Sequence, residues 1–368
     1  MSIYDIDVSA CRGRQKRLLA KMQELKLDLV IVTQLEHVQY LTGPRFTWFF
    51  SPVAAIDSSG HVTLIAPARK MPQVHAANDV RPYDANLLST LRNDQRVASS
   101  QVLLDALSAK PKPKRLGVEY SCSCPLLTQT LGGEVVDIDP ALFELRRRKD
   151  PDELARLRKA IAATGAMYRK AREMITPGVN ELDVFNELLA AAVRECGEML
   201  TGTGNDYASG VRGGPPRDRK IESGEIYLLD LGPAFRGYFA DCCRGIAVNG
   251  KPTDEQYKLW EHIMPVHDHV RATVKPGKSC RELFEEAKQM LAQGDLELPH
   301  HLGHGIGLFP HEGPHLNPNW NDTFQEGDVF ACEPGLYAER YRLGIRLEND
   351  YLVTAGGVEL LSDFPMEL

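Results

Sequence analysis

The stretch LLDLGPAFRGYFADCC, Leu228 to Cys243, carries Asp230 and Asp241 equally far from a midpoint between Phe235 and Arg236. Gly232, Pro233 and Gly237 interrupt two apolar runs there, a pattern that predicts a β-hairpin with a longish loop. In simple antiparallel register the two carboxylates would face each other, and like charges directly opposite across two strands destabilise a sheet. ACEPGLYAERYRLGIRLEND, Ala331 to Asp350, repeats the arrangement with Glu333 and Glu348, equidistant from a midpoint between Arg340 and Tyr341. One such pair could be chance. Two pairs within apolar strands demand positive charge, because clustered carboxylates otherwise raise one another's pKa or keep the strands apart. Two divalent cations would neutralise all four.

Between the hairpins lies PHHLGHGIGLFPHEGPH, Pro299 to His315, with five histidines in 17 residues. Glycines 303, 305 and 307 frame His304 and let backbone approach it closely. His301 and His315 read as ordinary core or surface histidines, whereas the glycine frame marks His304 as a ligand. A donor set of two Asp, one His and two Glu is rich in oxygen. It suits manganese, cobalt or iron at least as well as zinc, whose structural sites favour thiolates and several imidazoles.

Two domains fit the length of 368 residues, of which 43% are hydrophobic and 25% charged. A net charge of −7 with no basic face argues against a nucleic-acid partner. No run of about 18 apolar residues exists, so no membrane span is expected. MSIYDIDVSACRGRQ lacks the apolar core of a signal peptide. The eight cysteines are scattered, and Cys122-x-Cys124 has no second pair at zinc-site spacing. Free thiols in an unsecreted chain point to the cytoplasm.

Before a seam near residue 150, RGRQKRLLAKMQELK predicts an amphipathic helix, and LDLVIVTQ and HVTLIAP predict strands, hence an α/β unit. A basic run, Arg146 to Lys149, then leads to Asp150, a predicted cap for a helix starting at Pro151 with Glu153 at its third position. A further helix is expected over ELDVFNELLAAAVRECG, and short strands with Gly/Pro turns dominate after residue 221.

These motifs resemble the pita-bread metallohydrolases, the family of methionine aminopeptidase, Xaa-Pro aminopeptidase, prolidase and creatinase. LKLDLVIVTQLEHVQYLTG looks like the N-terminal domain of the creatinase and prolidase branch. The resemblance implies an α/β N-terminal domain over 1–145 and an α+β pita-bread catalytic domain over 146–368. Asp230 in LLDLG, Asp241 in ADCCR, His304 in GHGIG, Glu333 in CEPGLY and Glu348 in RLE match the family's metal positions. By that resemblance Asp241 and Glu348 bridge two divalent metals, manganese first among cobalt, iron and zinc. Asp230 completes one site, and His304 and Glu333 the other. It further implies a hydroxide nucleophile made available near neutral pH, Glu333 as proton shuttle, His311 as an oxyanion-type stabiliser and His300 on the substrate side.

The chain also departs from the family. NDYASGVRGGPPRDRKIESGE is short and holds no histidine, and HLNPNWNDTFQEGDVFA lacks the arginine that prolidases place there. Glu348 is followed by Asn349 rather than aspartate. Arg212 or Arg217 is the expected replacement anchor for a substrate carboxylate. The first expected activity is an exopeptidase acting before proline in short peptides. The alternative is hydrolysis of a small, amide-like, non-peptide C–N bond, as in creatinase or ectoine hydrolase, and the missing histidine favours it. A non-catalytic binding module fits least well, since such relatives usually lose ligands. The resemblance further implies a homodimer formed through N-terminal domains, with the aromatics of PRFTWFFSP, Pro44 to Pro52, as candidates for its interface.

Overall fold

Leu29–Val32, four apolar residues buried on both faces, forms an inner strand of a six-stranded sheet. The strand order is Asp79–Tyr83, Val62–Pro67, Val53–Asp57, Leu29–Val32, Arg115–Val118, Glu134–Asp137. Leu29–Val32 pairs antiparallel with Val53–Asp57 and parallel with Arg115–Val118, so the sheet is mixed. The computed structural model describes residues 2–368, in two compact units, Met1–Arg146 and Arg147–Leu368. All eight cysteines are free. No helix among the described residues is long and apolar enough to cross a membrane.

In the first unit, the helix Val8–Glu24 buries Cys11, Leu18 and Met22 at helical spacing, with Asp7 capping its start. Beyond the end of Arg115–Val118, Glu119 is wholly buried and accepts hydrogen bonds from the Thr33 and Gln34 amides and from His37 Nδ1 at 2.6 Å. The other His37 nitrogen accepts from Arg146 Nη1 at 3.0 Å, so a charged, hydrogen-bonded carboxylate sits inside the domain. The PRFTWFFSP aromatics divide: Phe46 and Phe50 are buried, while Trp48 is 86% and Phe49 37% exposed.

The second unit opens with the helix Pro151–Met174, capped by a reciprocal Asp150–Glu153 box. It packs on Glu181–Cys196, and Met167, Ala171, Val184, Leu188 and Ala192 form a core with a three-stranded sheet. That sheet runs Cys242–Ala247, Ile226–Leu231, Asp206–Ser209. A five-stranded sheet runs Glu312–Leu316, Gly303–Gly305, Val329–Cys332, Asn349–Thr354, Gly357–Leu360. The helices Asp254–Thr273 and Cys280–Leu291 share a core with it through Val266, Val270, Leu283, Phe330 and Tyr351.

The two hairpins differ in how they meet expectation. Val329–Cys332 pairs with Asn349–Thr354 so that Cys332 faces Asn349, and further on Gly335 faces Arg346. Continuing that register places Glu333 opposite Glu348, as the sequence predicts. The aspartate hairpin is shifted by two residues: Asp230 faces Cys243 and Leu231 faces Cys242. Its tight turn is Arg236-Gly237, both at positive φ (50° and 93°), between the short strands Ala234–Phe235 and Tyr238–Phe239. A shift of two keeps both aspartates on the same face of the sheet and makes them diagonal neighbours.

Candidate metal centre

Asp230 lies near the end of the central strand Ile226–Leu231, and Asp241 sits just before Cys242–Ala247. His304 occupies the middle of Gly303–Gly305, while Glu333 and Glu348 lie just outside Val329–Cys332 and Asn349–Thr354. A Cβ at Gly303 would stand 2.0 Å from the Ala331 carbonyl oxygen, and one at Gly305 equally close to the Gly313 carbonyl oxygen. Only glycine lets these strands close around His304.

His304 is buried, and its Nδ1–H donates to the Gly305 carbonyl oxygen at 3.0 Å. That bond leaves Nε2 as the lone-pair nitrogen. Nε2 is 3.6 Å from Asp241 Oδ2 and 3.5 Å from Glu333 Oε1. Donor atoms bonded to one cation at about 2.1 Å are themselves roughly 3.0–3.4 Å apart, so these spacings nearly suit a shared ion. Ligand atoms of Asp241, His304 and Glu348 all fall within 4.8 Å of one another.

The electrostatics point the same way. Burial pushes the Asp241 carboxyl well above the usual carboxylate range, and the Asp230, Asp350 and Glu333 charges push it further. Burial and then Asp241 do the same to Glu348. Burial also raises Asp230, against the pull of Arg346. Asp230 Oδ1 and Glu348 Oε2 are buried without a hydrogen-bond partner. Orphaned buried carboxylate oxygens are costly unless a cation completes them. The donor set therefore suits a divalent cation, with Asp241, His304 and Glu348 close enough to share one. Burial also lowers His304 to about 3, keeping its imidazole neutral as a ligand must be.

Glu333 behaves differently from the other acids. Burial would raise it, yet the His301 hydrogen bond, Nε2 to Oε1 at 2.7 Å, and the His301 charge bring it down to about 2. Burial lowers His301 as well, but the Glu333 hydrogen bond outweighs that and raises it. The ordinary reading of His301 is therefore corrected: this histidine, not His300, touches the cluster. His300 directs Nδ1 to the His301 carbonyl at 2.7 Å and Nε2 to the Tyr337 hydroxyl at 3.1 Å, one residue removed from the carboxylates. Adjacent residues on extended backbone point to opposite sides, and His300-His301 alone gives no clue which points inward. His311 stacks on His304 at 3.6 Å between ring centroids, and His301, His304 and His311 bring ligand nitrogens within 4.8 Å of one another. His315 keeps its ordinary role, bonded to Asp322 at 2.8 Å and stacked on Trp320.

The loop arginines separate. Arg217 gives Nη2 to Glu181 at 2.6 Å and to the Ser209 carbonyl at 2.7 Å, so its guanidinium closes the loop onto the Glu181–Cys196 helix. As a free anchor it is corrected: a buried carboxylate of the chain already holds it. Arg212 lies over the Tyr337 ring at 4.6 Å. Sequence reasoning passed over Arg346, although it stands two residues before Glu348. Its Nη2 bonds Asp230 Oδ2 at 2.7 Å and Asp206 Oδ2 at 2.5 Å, and its Nη1 reaches the Tyr337 hydroxyl at 3.3 Å. Asn349 accepts from Arg244 at 2.9 Å and from Ser362 at 3.0 Å, so the uncharged amide is satisfied where a carboxylate is usual.

Residues 155–355 match the metallopeptidase family M24, and residues 14–147 match the creatinase/prolidase N-terminal domain. An uncharacterized peptidase of Bacillus subtilis is 27% identical over 360 residues, covering 94% of this chain and 96% of that protein. One of Staphylococcus epidermidis is 30% identical over 235 residues, 62% of this chain and 66% of the relative. The Xaa-Pro dipeptidase from Bacillus anthracis superposes with a TM-score of 0.82 at 23% identity, covering 97% of this chain and 99% of that one. The prolidase from Pyrococcus furiosus gives 0.78 at 24% identity, over 94% and 99%. Those likenesses extend over both units and establish the fold. With its five-residue carboxylate and histidine cluster on that fold, the chain belongs to the metallopeptidase family M24, with a creatinase/prolidase-type N-terminal domain ahead of a pita-bread catalytic domain.

Proposed function

We propose that this chain is a dinuclear metal-dependent exopeptidase that hydrolyses the bond before proline in short peptides. The observation that carries the reading is the pair of orphaned oxygens, Asp230 Oδ1 and Glu348 Oε2, beside the lone-pair nitrogen of His304. Such a donor set is complete for two cations and has no use as a core. Two divalent ions held there, manganese first among cobalt, iron and zinc, would supply a hydroxide near neutral pH and polarise the scissile carbonyl.

The protein's own groups then have defined work. Glu333 Oε1 shares a hydrogen bond with His301 Nε2 and can take up a proton and pass it to the leaving nitrogen. His311, stacked on His304, would donate to the oxygen that gains charge. His300, held by Tyr337, lines the approach of the substrate. Arg212 is the loop arginine left for a substrate carboxylate, since Arg217 is committed to Glu181. The enzyme works as a cytoplasmic homodimer, with Trp48 and Phe49 at the contact.

A second reading has one specific support. The loop of residues 205–220 carries no histidine, which favours a small amide-like, non-peptide substrate. The test is a panel of Xaa-Pro di- and tripeptides against small amides, assayed with protein stripped and reloaded with each metal. Release of free Xaa from the peptides supports the first reading. Turnover of a small amide with every peptide left intact replaces it by the second.

A further inference from the structure

Asp206 stands directly opposite Asp230 where Asp206–Ser209 pairs with Ile226–Leu231. Like charges in that position destabilise a sheet unless positive charge lies between them. Arg346 supplies that charge. Its Nη2 donates to Asp230 Oδ2 at 2.7 Å and to Asp206 Oδ2 at 2.5 Å. A planar guanidinium fixes the angle between those two bonds, so the place of Asp206 dictates where Arg346 lies and which Asp230 oxygen it takes. The oxygen left over is Asp230 Oδ1, buried and without a hydrogen-bond partner among the described residues.

The second Asp206 oxygen faces the loop that follows the strand. Oδ1 accepts from the Gly214 amide at 2.7 Å, and the Gly214 carbonyl accepts from the Tyr207 amide at 2.8 Å, which closes a turn back onto the strand. Gly213 makes the closure possible: its φ is 150°, and a Cβ there would stand 2.5 Å from Asp206 Oδ2. The same turn carries Arg212, whose guanidinium lies over the Tyr337 ring at 4.6 Å, and the Tyr337 hydroxyl accepts from Arg346 Nη1 at 3.3 Å. The loop therefore returns to Arg346 by two routes, one through Asp206 and one through Tyr337.

Charge gives Asp206 a second effect. An arginine that touches Asp230 opposes a cation on the other Asp230 oxygen, and as an ion pair Asp230 and Arg346 alone carry no net charge. With Asp206 the group keeps a negative charge to offer. We propose that Asp206 is a positioning residue of the metal centre: it holds Arg346 so that Asp230 Oδ1 stays free for a cation, and it fastens the turn of residues 210–214 to the same carboxylate, so that cation binding and loop order are coupled. Coupling between two events is reciprocal, so a cation that steadies Asp230 also steadies the turn. The proposal rests on the metal-dependent part of the proposed function and not on proline specificity or on any peptide substrate.

The test uses the full chain, stripped and titrated with Mn²⁺ against a fluorescent chelator, together with hydrogen exchange read by mass spectrometry. Asp206→Asn keeps the shape and an acceptor for the Gly214 amide but removes the charge, whereas Asp206→Ala removes both. Both variants should bind Mn²⁺ about tenfold more weakly than wild type, the usual cost of disturbing a group that orients a ligand. Saturating Mn²⁺ should slow exchange across residues 207–214 in wild type, and in Asp206→Ala that exchange should be fast with or without the ion. A merely structural aspartate would loosen the turn in Asp206→Ala yet leave the chelator titration unchanged, and that result overturns the proposal. So does an Asp206→Asn affinity within about twofold of wild type, or wild-type exchange indifferent to Mn²⁺. Asp206→Asn is nearly isosteric, so its titration decides the matter even where Asp206→Ala fails to fold. Wild-type protein that binds no Mn²⁺ removes the metal centre and this proposal together, whereas Mn²⁺ binding that ignores Asp206 removes this proposal alone.

Discussion

Burial and three neighbouring carboxylates all oppose the charge of Asp241. A cation relieves that strain, so Asp241→Asn removes charge while keeping shape. Metal content measured by elemental analysis should fall below two ions per chain, and activity should fall with it. A variant that keeps both ions and full turnover removes Asp241 from the ligand set. Arg346 acts one step back: its fork ties Asp230 to Asp206 and reaches Tyr337. A lysine is a point charge and cannot hold three partners in that geometry. Arg346→Lys should weaken metal affinity by about 10- to 100-fold, the usual cost of disturbing a group that orients a ligand. Unchanged affinity in a chelator competition would show that Asp230 holds its position without help. Individual residues were legible in the sequence where the backbone imposed a signature. The glycine frame gave His304, and the mirrored acids gave the four carboxylates. His301 and Arg346 carry no such mark, since their roles depend on which way a side chain turns across strands distant in sequence.

At the scale of elements, local chemistry decided how well expectation matched structure. The Asp150–Glu153 box and Pro151 specify a helix start within four residues, and the helix begins where they say. Asp150→Ala should lower stability by about 1 kcal/mol, the usual loss for an N-cap. A denaturant midpoint unchanged from wild type would mean that the surrounding packing, not the cap, sets this helix end. The glutamate hairpin keeps its simple register because its long connection lies beyond the paired strands. The aspartate hairpin moves by two because its turn settles on Arg236-Gly237, where both residues can take positive φ, rather than on the symmetric centre. Turn preference therefore overrode symmetry. The face survived the shift only because it was even; a shift of one would have turned every side chain between the strands to the other face.

At the scale of the whole molecule, the first unit carries a surface that its own core does not explain. Phe46 and Phe50 are buried and anchor the stretch Pro44 to Pro52 to the domain, while Trp48, 86% exposed, and Phe49 point outward with their rings edge to face at 5.7 Å. An indole left in water forgoes much of the stabilisation that burial of such a ring provides, and large aromatics are concentrated where interfaces are most buried. On the proposed homodimer a second copy of this chain covers this stretch, and a rigid hydrophobic projection braced from beneath by two buried rings would lose little entropy on docking. Light scattering at micromolar concentration should return about twice the chain mass of 41.0 kDa. The double variant Trp48→Asp, Phe49→Ser should shift it to one chain mass while leaving the far-ultraviolet circular dichroism unchanged, since Trp48 is almost wholly exposed and Phe49 meets the core only through the Phe50 ring at 4.6 Å. A wild-type protein that scatters as a monomer removes the dimer altogether. A double variant that remains dimeric moves the contact elsewhere on the molecule and leaves Trp48 and Phe49 without a role in assembly.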